Sequence, residues 1–226
     1  MKIGQYIDII FTMIHSIFEK DFVHTTYDTI AEMFHHTRFC HWNAIQEFLD
    51  SLPAYSWVLD NGCGNGKYLG YRNDLVFVGS DMCLPLLNIS YRKSDVTYAN
   101  SLELPYKNKM FDAIICVAVL HHLSTPERRH EFIHEMVRTM KVNGRGIVTV
   151  WALDQTNNKR MLKWNIQPNG DAMIPWKDHK GNIVSQRYYH LFTQQELQSY
   201  FEHEHIKIVK CFFEYENWCI EFQRIK

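Results

Sequence analysis

The sequence predicts an α/β fold with a mostly parallel, doubly wound sheet, and three observations support this prediction. Continuous apolar segments of strand length alternate with segments of helical periodicity, as expected when helices cover both faces of a parallel sheet. Residues 58–68 read V-L-D-N-G-C-G-N-G-K-Y, a strand that ends in an acid and leads into three alternating glycines. The apolar segments 206–215 and 218–223 are spaced as a closing antiparallel hairpin.

The individual elements follow from local patterns. Residues 151–185 lose periodicity and collect prolines and glycines, so we expect a long loop region there. A helix is expected directly after the glycine segment, where its free N–H groups would face a ligand. The remaining helices are predicted at residues 1–22, 25–34, 42–49, 126–140 and 194–201, and the other strands at 57–59, 75–80, 96–99, 113–119 and 146–151.

Composition limits the class of protein. A chain of 226 residues with 46% hydrophobic and 22% charged residues is expected to form a single domain, residues 1–226. Within it we expect residues 1–20 to be an N-terminal helical extension and residues 152–193 to be a substrate-side loop region. Asp8 and His15 interrupt the apolar N-terminal segment, which argues against a signal peptide or membrane anchor.

Charge and cysteine content restrict the partners. The net charge is −1, so a nucleic acid would have to be held by a local patch or by another subunit. The six cysteines include no C-x-x-C, which indicates reduced thiols inside a cell and no metal site. Candidates for a basic patch, against the alternative of ordinary solvated charges, are Arg128, Arg129, Arg145, Lys159, Arg160 and Lys163.

The glycine segment and the next strand indicate a nucleoside-containing ligand. Dinucleotide enzymes use G-x-G-x-x-G, whereas Gly62, Gly64 and Gly66 form G-x-G-x-G after Asp60. This acidic-glycine order resembles motif I of class I methyltransferases that use S-adenosylmethionine (AdoMet). Asp81 ends the second strand, where an acid either accepts the ribose hydroxyls or caps the next helix.

Polar residues after the third and fourth strands extend this candidate site. Asn100 and Ser101 either hydrogen-bond an adenine amino group or form a polar turn. His121 and His122 follow the fourth strand, whose carboxyl end is a ligand-binding edge in open α/β sheets. We expect one of these histidines to be functional and the other structural. They are not predicted to be a metal pair, because no third ligand of suitable spacing is visible.

Two further segments suit an anionic, aromatic substrate. Residues 187–190 read R-Y-Y-H and combine a guanidinium, two phenols and an imidazole, although an exposed strand with alternating aromatics would read the same. Arg38 lies just before the sheet and either binds a carboxylate or forms a surface salt bridge.

Several motifs occur together in a fixed order, including D-x-G-C-G-N-G-K-Y-L-G, L-H-H-L-S-T-P-E-R-R, V-W-A-L-D-Q, I-P-W and R-Y-Y-H-L-F. From about Asp21 to the C-terminus, the chain resembles the eukaryotic tRNA wobble-uridine carboxymethyl methyltransferases. The resemblance implies a Rossmann-like class I fold with a seven-stranded sheet. It also implies AdoMet-dependent esterification of 5-carboxymethyluridine in the anticodon loop. Asn100 stands where relatives often have Asp, and the segment between I-P-W and R-Y-Y-H is shorter than in many relatives.

The resemblance assigns roles to residues. A carboxylate nucleophile is ionised at neutral pH, so no general base is expected. The residues nominated to hold the carboxymethyl group are Arg187 and His190, with Arg38 and His122 in reserve. The residues nominated for substrate binding are Trp151, Trp176, Arg187, Tyr188, Tyr189 and His190. Those nominated for AdoMet are Tyr27, Arg38, Trp42, Asp60, Gly62, Cys63, Gly64, Asn65, Gly66, Asp81, Met82, Asn100, Ser101, Leu102, Val117 and His121.

The resemblance also implies a partner, a small zinc-binding activator protein that adds a strand beside residues 96–99. The neighbouring Leu84, Leu86, Ile89 and Tyr91 would complete this docking edge. We expect a cytoplasmic heterodimer, with the nucleus as a second compartment. The alternatives are a class I methyltransferase acting on a small acid or quinone, and a catalytically silent scaffold subunit.

Overall fold

The computed structural model describes residues 13–37, 40–155 and 161–226. Residues 13–19 are helical and continue through a π-helical turn, Lys20–His24, into helix α1, Thr25–His35. Helix α2 spans Asn43–Asp50. Within the described ranges, no helix has both the length and the apolar character needed to cross a membrane.

The centre of the molecule is a seven-stranded sheet with the order β3-β2-β1-β4-β5-β9-β8. Strands β1 to β5 pair in parallel, and β9 runs antiparallel to both of its neighbours. The strands are β1 Trp57–Asn61, β2 Val76–Asp81, β3 Asp95–Tyr98, β4 Phe111–Val117, β5 Met140–Trp151, β8 Ile206–Glu214 and β9 Asn217–Arg224. The remaining helices are α3 Leu84–Ser90, α4 Pro126–Thr139 and α5 Gln194–Ser199. The predicted α/β class, the five parallel strands and the closing hairpin are confirmed.

Local sequence explains where α4 and α5 begin. Thr125 Oγ1 accepts a hydrogen bond from Arg128 N at the start of α4, where Pro126 occupies the first turn. Thr193 Oγ1 caps α5 in the same way by accepting from Glu196 N. The apolar residues of β4 from Phe111 to Cys116 are fully buried between the two layers that cover the sheet. Its continuous apolar sequence is therefore the result of burial on both faces.

Two sequence predictions are wrong. Residues 62–75 form turns, with no helix after the glycine segment, because Gly62, Gly64, Gly66 and Gly70 all adopt positive φ angles that an α-helix excludes. The region 152–193 is more than a loop, since β6 Asp171–Lys177 and β7 Ile183–His190 pair as an antiparallel ribbon. Prolines and glycines at its turns concealed the alternation of its two short strands.

Candidate functional site

The glycine segment makes a tight turn at the carboxyl end of β1. Gly62 has a φ of 81°, and a Cβ there would lie 2.2 Å from Val119 Cγ2. Gly64 also has a positive φ, of 51°, but a Cβ there would meet no atom closer than 3.8 Å. Gly62 is thus needed because the loop after β4 brings Val119 against it. Gly64, in contrast, has open space beside its backbone where it lines the cavity.

Two carboxylates face the same cavity from β1 and β2. Asp81 Oδ2 accepts from Gly64 N at 2.8 Å, and Asp81 Oδ1 accepts from Cys83 N at 2.8 Å. Asp81 therefore fixes the glycine turn and the backbone that leads to α3, but it does not cap this helix, whose N-cap residue Cys83 has no side-chain cap hydrogen bond. Burial raises the pKa of Asp81, and burial together with the nearby Asp81 raises the pKa of Asp60 to about 7.

The loop after β3 is tied to the ends of β1 and β2 by a buried amide. Asn61 Oδ1 accepts from Ser80 Oγ at 3.1 Å and from Ser101 Oγ at 2.8 Å. Asn100 Oδ1 accepts from Leu102 N at 3.0 Å, so the Asn100 side chain forms the turn as well as lining the cavity. Asn61 was not among the residues nominated for the site, although its buried side chain connects three segments there.

The N-terminal helix forms one wall of the cavity through a buried acid. Glu19 is 2% exposed and accepts from Arg128 Nη2 at 2.7 Å and from Ser124 N at 2.7 Å. Arg129 is buried in an internal pair with Asp171, which makes it unsuitable for an RNA-binding patch. Arg128 is half-buried beside Glu19 and Arg145 is half-buried beside Glu221, so these two candidates stay predictions. Lys163 is exposed, whereas Lys159 and Arg160 lie outside the described residues.

These elements enclose a cavity of about 610 Å³ over the carboxyl ends of the central strands. Arg38, a nominated residue, lies outside the described part of the chain. Nominated residues that line the cavity are Tyr27, Trp42, Asp60, Gly62, Cys63, Gly64, Asn65, Asp81, Met82, Asn100, Ser101, Val117, His122, Trp151 and Tyr189. Nominated residues that do not reach its lining are Gly66, Leu102, His121, Trp176, Arg187, Tyr188 and His190. Lining residues that had not been nominated for the site include Glu19, His24, Phe34, Trp164 and Asn217.

Strand alternation divides the R-Y-Y-H segment between two environments. Arg187 and Tyr189 lie on the face of the ribbon that carries Trp176 and Ala172, and Tyr189 lines the cavity. The Arg187 guanidinium lies 4.8 Å from the Trp176 ring and 5.1 Å from the Tyr189 ring. Arg187 therefore lies next to the cavity wall, one side chain behind Tyr189.

Tyr188 and His190 point to the opposite face, which corrects their nomination as substrate ligands. His190 Nδ1 contacts Asp171 Oδ1 at 2.7 Å, and its Nε2 contacts Glu196 Oε1 at 2.7 Å. Tyr188 donates to the same Asp171 oxygen, and the buried Arg129 completes the cluster. These groups join the ribbon to α4 and α5, so their role in this arrangement is structural.

A directed chain of hydrogen bonds crosses the cavity wall. The Tyr188 carbonyl can only accept, so His122 Nδ1 donates to it at 2.9 Å and His122 Nε2 is left as an acceptor for Tyr27. Arg187 Nη1 can only donate, and it does so to the Tyr189 hydroxyl at 2.8 Å. Tyr189 in turn lies 3.3 Å from the Tyr27 hydroxyl. The chain runs from Arg187 through both phenols to a neutral imidazole, and burial lowers the pKa of His122 to about 3.

His121 is fully buried beside this chain and stacks on Tyr189 at 4.7 Å. Its Nδ1 accepts from Trp151 N, so its Nε2 carries the proton. Burial holds the pKa of His121 well below its usual value. Of the adjacent histidines, His122 thus lines the cavity, whereas His121 lies behind it.

Comparison with known proteins assigns this chain to a family. Residues 59–148 match the methyltransferase domain family model. A tRNA (carboxymethyluridine(34)-5-O)-methyltransferase of Schizosaccharomyces pombe is 33% identical over 90% of this chain and 96% of its own length. The chain belongs to this family. A protein with the same description from Arabidopsis thaliana is 46% identical over 65% of this chain, and the match spans 36% of the Arabidopsis protein.

Solved structures agree on the fold of this methyltransferase. A SAM-dependent methyltransferase from Methanosarcina mazei superposes with a TM-score of 0.64 at 18% identity, covering 82% of this chain and 98% of its own. The [4+2]-cyclase SpnF superposes with a TM-score of 0.65 at 12% identity, covering 90% and 95%. A cyclase with the same fold shows that the fold does not determine the reaction, so the chemistry has to be argued from the residues of the site.

The residues present suit AdoMet, the methyl donor of this class of enzyme. AdoMet carries an ammonium group and two ribose hydroxyls, all of them donors, and the cavity offers the carboxylates of Asp60 and Asp81. A hydrogen bond from such a donor stabilises the ionised form of a buried acid, because it offsets the desolvation that raises the pKa of the acid. The open backbone at Gly64 leaves room between them.

Proposed function

We propose that this methyltransferase esterifies the carboxylate of 5-carboxymethyluridine at the wobble position of tRNA. Its relatives carry this reaction in their names. The product would be the methyl ester, 5-methoxycarbonylmethyluridine. The bound AdoMet supplies an electrophilic methyl group, and the chain itself has to bind, orient and desolvate the acid.

The observation that carries this proposal is a group of buried N–H donors beside Tyr189. Among the described residues, Arg187 Nε, Trp176 Nε1 and His121 Nε2 are buried without a hydrogen-bond partner. Buried donors left unpaired cost free energy, whereas an ionised carboxylate is an acceptor at every lone pair. These donors lie behind the Tyr189 ring and outside the cavity lining, so a substrate carboxylate would have to pass Tyr189 to reach them. It would then satisfy donors that no other described residue satisfies.

The protonation states agree with a reaction that needs no base. A carboxylate is ionised at neutral pH and attacks without losing a proton. His122, an imidazole that lines the cavity, is neutral and already accepts from Tyr27 through Nε2. We assign His122 and Tyr27 to holding Tyr189 and Arg187 in place, and Arg187 to neutralising the acid. Trp151 and Tyr189, stacked at 4.3 Å, form the aromatic wall for the base.

The decisive experiment is methyl transfer from labelled AdoMet to total tRNA from a strain that lacks the wobble methyl ester, followed by mass spectrometry of nucleosides. We expect 5-methoxycarbonylmethyluridine to appear. The control is tRNA from a strain that also lacks the carboxymethyl group, which should stay unlabelled. Binding of AdoMet without label in either tRNA would refute the proposal and direct attention to small carboxylic acids.

We further propose that a small zinc-binding activator protein docks at β3. This strand lies at the edge of the sheet and pairs with β2. Leu84, Tyr91 and Tyr98 beside it are 55%, 59% and 55% exposed, as a surface for an added strand requires. Leu86 is 2% exposed and packs against Ala31, so it does not contribute to this surface.

Co-purification tests this docking edge. We expect the double variant Leu84→Asp with Tyr91→Asp to lose the activator, because both charges would lie in an apolar interface. Val209→Asp is the matched control, since Val209 is 51% exposed on the opposite edge strand, β8. Equal recovery of the activator by both variants would refute the assignment.

We propose a cytoplasmic location, with the nucleus as a second compartment. The six cysteines are free thiols, four of them buried, and this suits a reducing environment. Imaging of a fluorescent fusion would test it, and retention in a secretory compartment would contradict it.

A further inference from the structure

The cavity wall formed by the β8–β9 turn contains a polar group that no motif had indicated. Asn217 is the first residue of β9, is 3% exposed and lines the cavity. Its Nδ2 donates to the Tyr215 carbonyl, which fixes the orientation of the amide. Its Oδ1 is therefore the atom left over, and it is buried without a partner among the described residues.

The turn that carries Asn217 is held by hydrogen bonds from two other segments of the chain. Tyr215 and Glu216 both have positive φ angles, of 46° and 64°, as in a tight two-residue hairpin turn. Ala152 N donates to the Glu216 carbonyl at 3.1 Å, and Ala44 N donates to the Glu214 carboxylate at 3.2 Å. The position of Asn217 is thus fixed before any substrate arrives.

Asn217 pairs with Trp151, the residue that connects it to the proposed carboxylate site. The two are partners in the β5–β9 ladder. The Trp151 ring stacks on Tyr189 at 4.3 Å and on Trp164 at 5.3 Å, so the aromatic wall extends from the ribbon to the hairpin turn. C5 and N3 lie on different edges of a uracil ring, so a base that directs its C5 substituent to Arg187 keeps its Watson–Crick edge available to the hairpin turn.

We propose that Asn217 Oδ1 accepts a hydrogen bond from N3–H of the wobble uracil and thereby selects uracil over cytosine. An unpaired buried acceptor requires a donor, and N3–H is the donor that uracil has on this edge. Cytosine has a lone pair at N3, which would face the lone pairs of Oδ1. This inference rests on the proposed function, because it concerns the base that bears the carboxymethyl group.

The test compares two synthetic anticodon stem-loops that carry 5-carboxymethyluridine or 5-carboxymethylcytidine at the wobble position. The carboxymethyl group is the same in both stem-loops, so the carboxylate offered to Arg187 is the same. We expect the native enzyme, with its activator if required, to favour the uridine by about 100-fold in kcat/KM. In Asn217→Leu this ratio should fall by about tenfold or more, through loss of activity on the uridine.

Gln223→Leu is the matched control, because Gln223 is an amide at the other end of the same strand, bonded to the Asn143 carbonyl. Melting temperature and AdoMet affinity of each variant show whether the fold and the cofactor site are intact. An unchanged preference in folded Asn217→Leu would overturn the inference and leave the proposed function standing. Weakened AdoMet binding with an unchanged preference would also overturn it, since Asn217 would then bind the cofactor. Absence of methyl transfer to either stem-loop by the native enzyme would overturn the proposed function, and this inference with it.

Discussion

Replacement of Asp60 by asparagine should stabilise the ligand-free protein above neutral pH and weaken AdoMet binding. Asp60 is 2% exposed, and burial is the main cause that raises its pKa from 3.8 to about 7, with Asp81 adding to it. Between these two values the folded protein keeps a proton that the unfolded chain has lost. The contribution of Asp60 to the free energy of unfolding therefore falls as pH rises from about 4 to 7, and is constant above that.

The magnitude follows from the shift of about 3 pKa units, which corresponds to about 4 kcal/mol across the whole window. Asparagine has no charge to desolvate, so the variant lacks this pH dependence. Its buried amide has its own desolvation cost of about 1–3 kcal/mol, which is the same at every pH. The difference between variant and native protein should accordingly grow by about 3 kcal/mol from pH 5 to pH 8.

The assay is urea denaturation of both proteins without AdoMet at pH 5, 6, 7 and 8. Subtracting the two curves cancels the groups that both proteins share. Asp95→Asn, at an exposed position at the start of β3, is the matched control for the loss of a carboxylate, and its difference curve is compared with that of Asp60→Asn. A flat difference for Asp60→Asn would show that its carboxylate is solvated in the folded state, and the reasoning from burial would be refuted.

Three further predictions concern the substrate site and the glycine turn. Arg187→Ala should reduce kcat/KM for tRNA methylation by about 100-fold, while AdoMet affinity, measured by calorimetry, should stay within about twofold. Loss of both methylation and AdoMet binding would mean that Arg187 binds the cofactor. Gly62→Ala should destabilise the protein by about 2–4 kcal/mol in urea denaturation, because its Cβ would lie 2.2 Å from Val119 and its φ is 81°. Gly181→Ala shares the positive φ but would meet no atom within 4 Å, so it should cost about 1–2 kcal/mol, and an equal loss in both variants would show that the contact with Val119 is unimportant.

The sequence predicted the sheet because burial on both faces leaves a signal that is local. The apolar segments of β1, β2, β4 and β5, and the caps of α4 and α5, depend on neighbours a few residues away. The same holds for the acid and glycines at the end of β1, since a positive φ is a property of one residue. Family membership followed from the order of such motifs along the chain.

Tertiary structure decided which side chains share an environment. The letters R-Y-Y-H could not show that Tyr188 and His190 share Asp171 with Arg129 while Arg187 and Tyr189 lie by the cavity. The loop assignment had hidden the alternation of β7. No sequence pattern indicated that Glu19 and Asn217 line the cavity. The role of a single polar residue in an apolar helix or strand can be assigned only when its partners are known. Those partners lie over 100 residues away for Glu19, in Ser124 and Arg128. A one-dimensional pattern records periodicity and local geometry, whereas burial, pairing and pKa depend on distances that are set when the chain has folded.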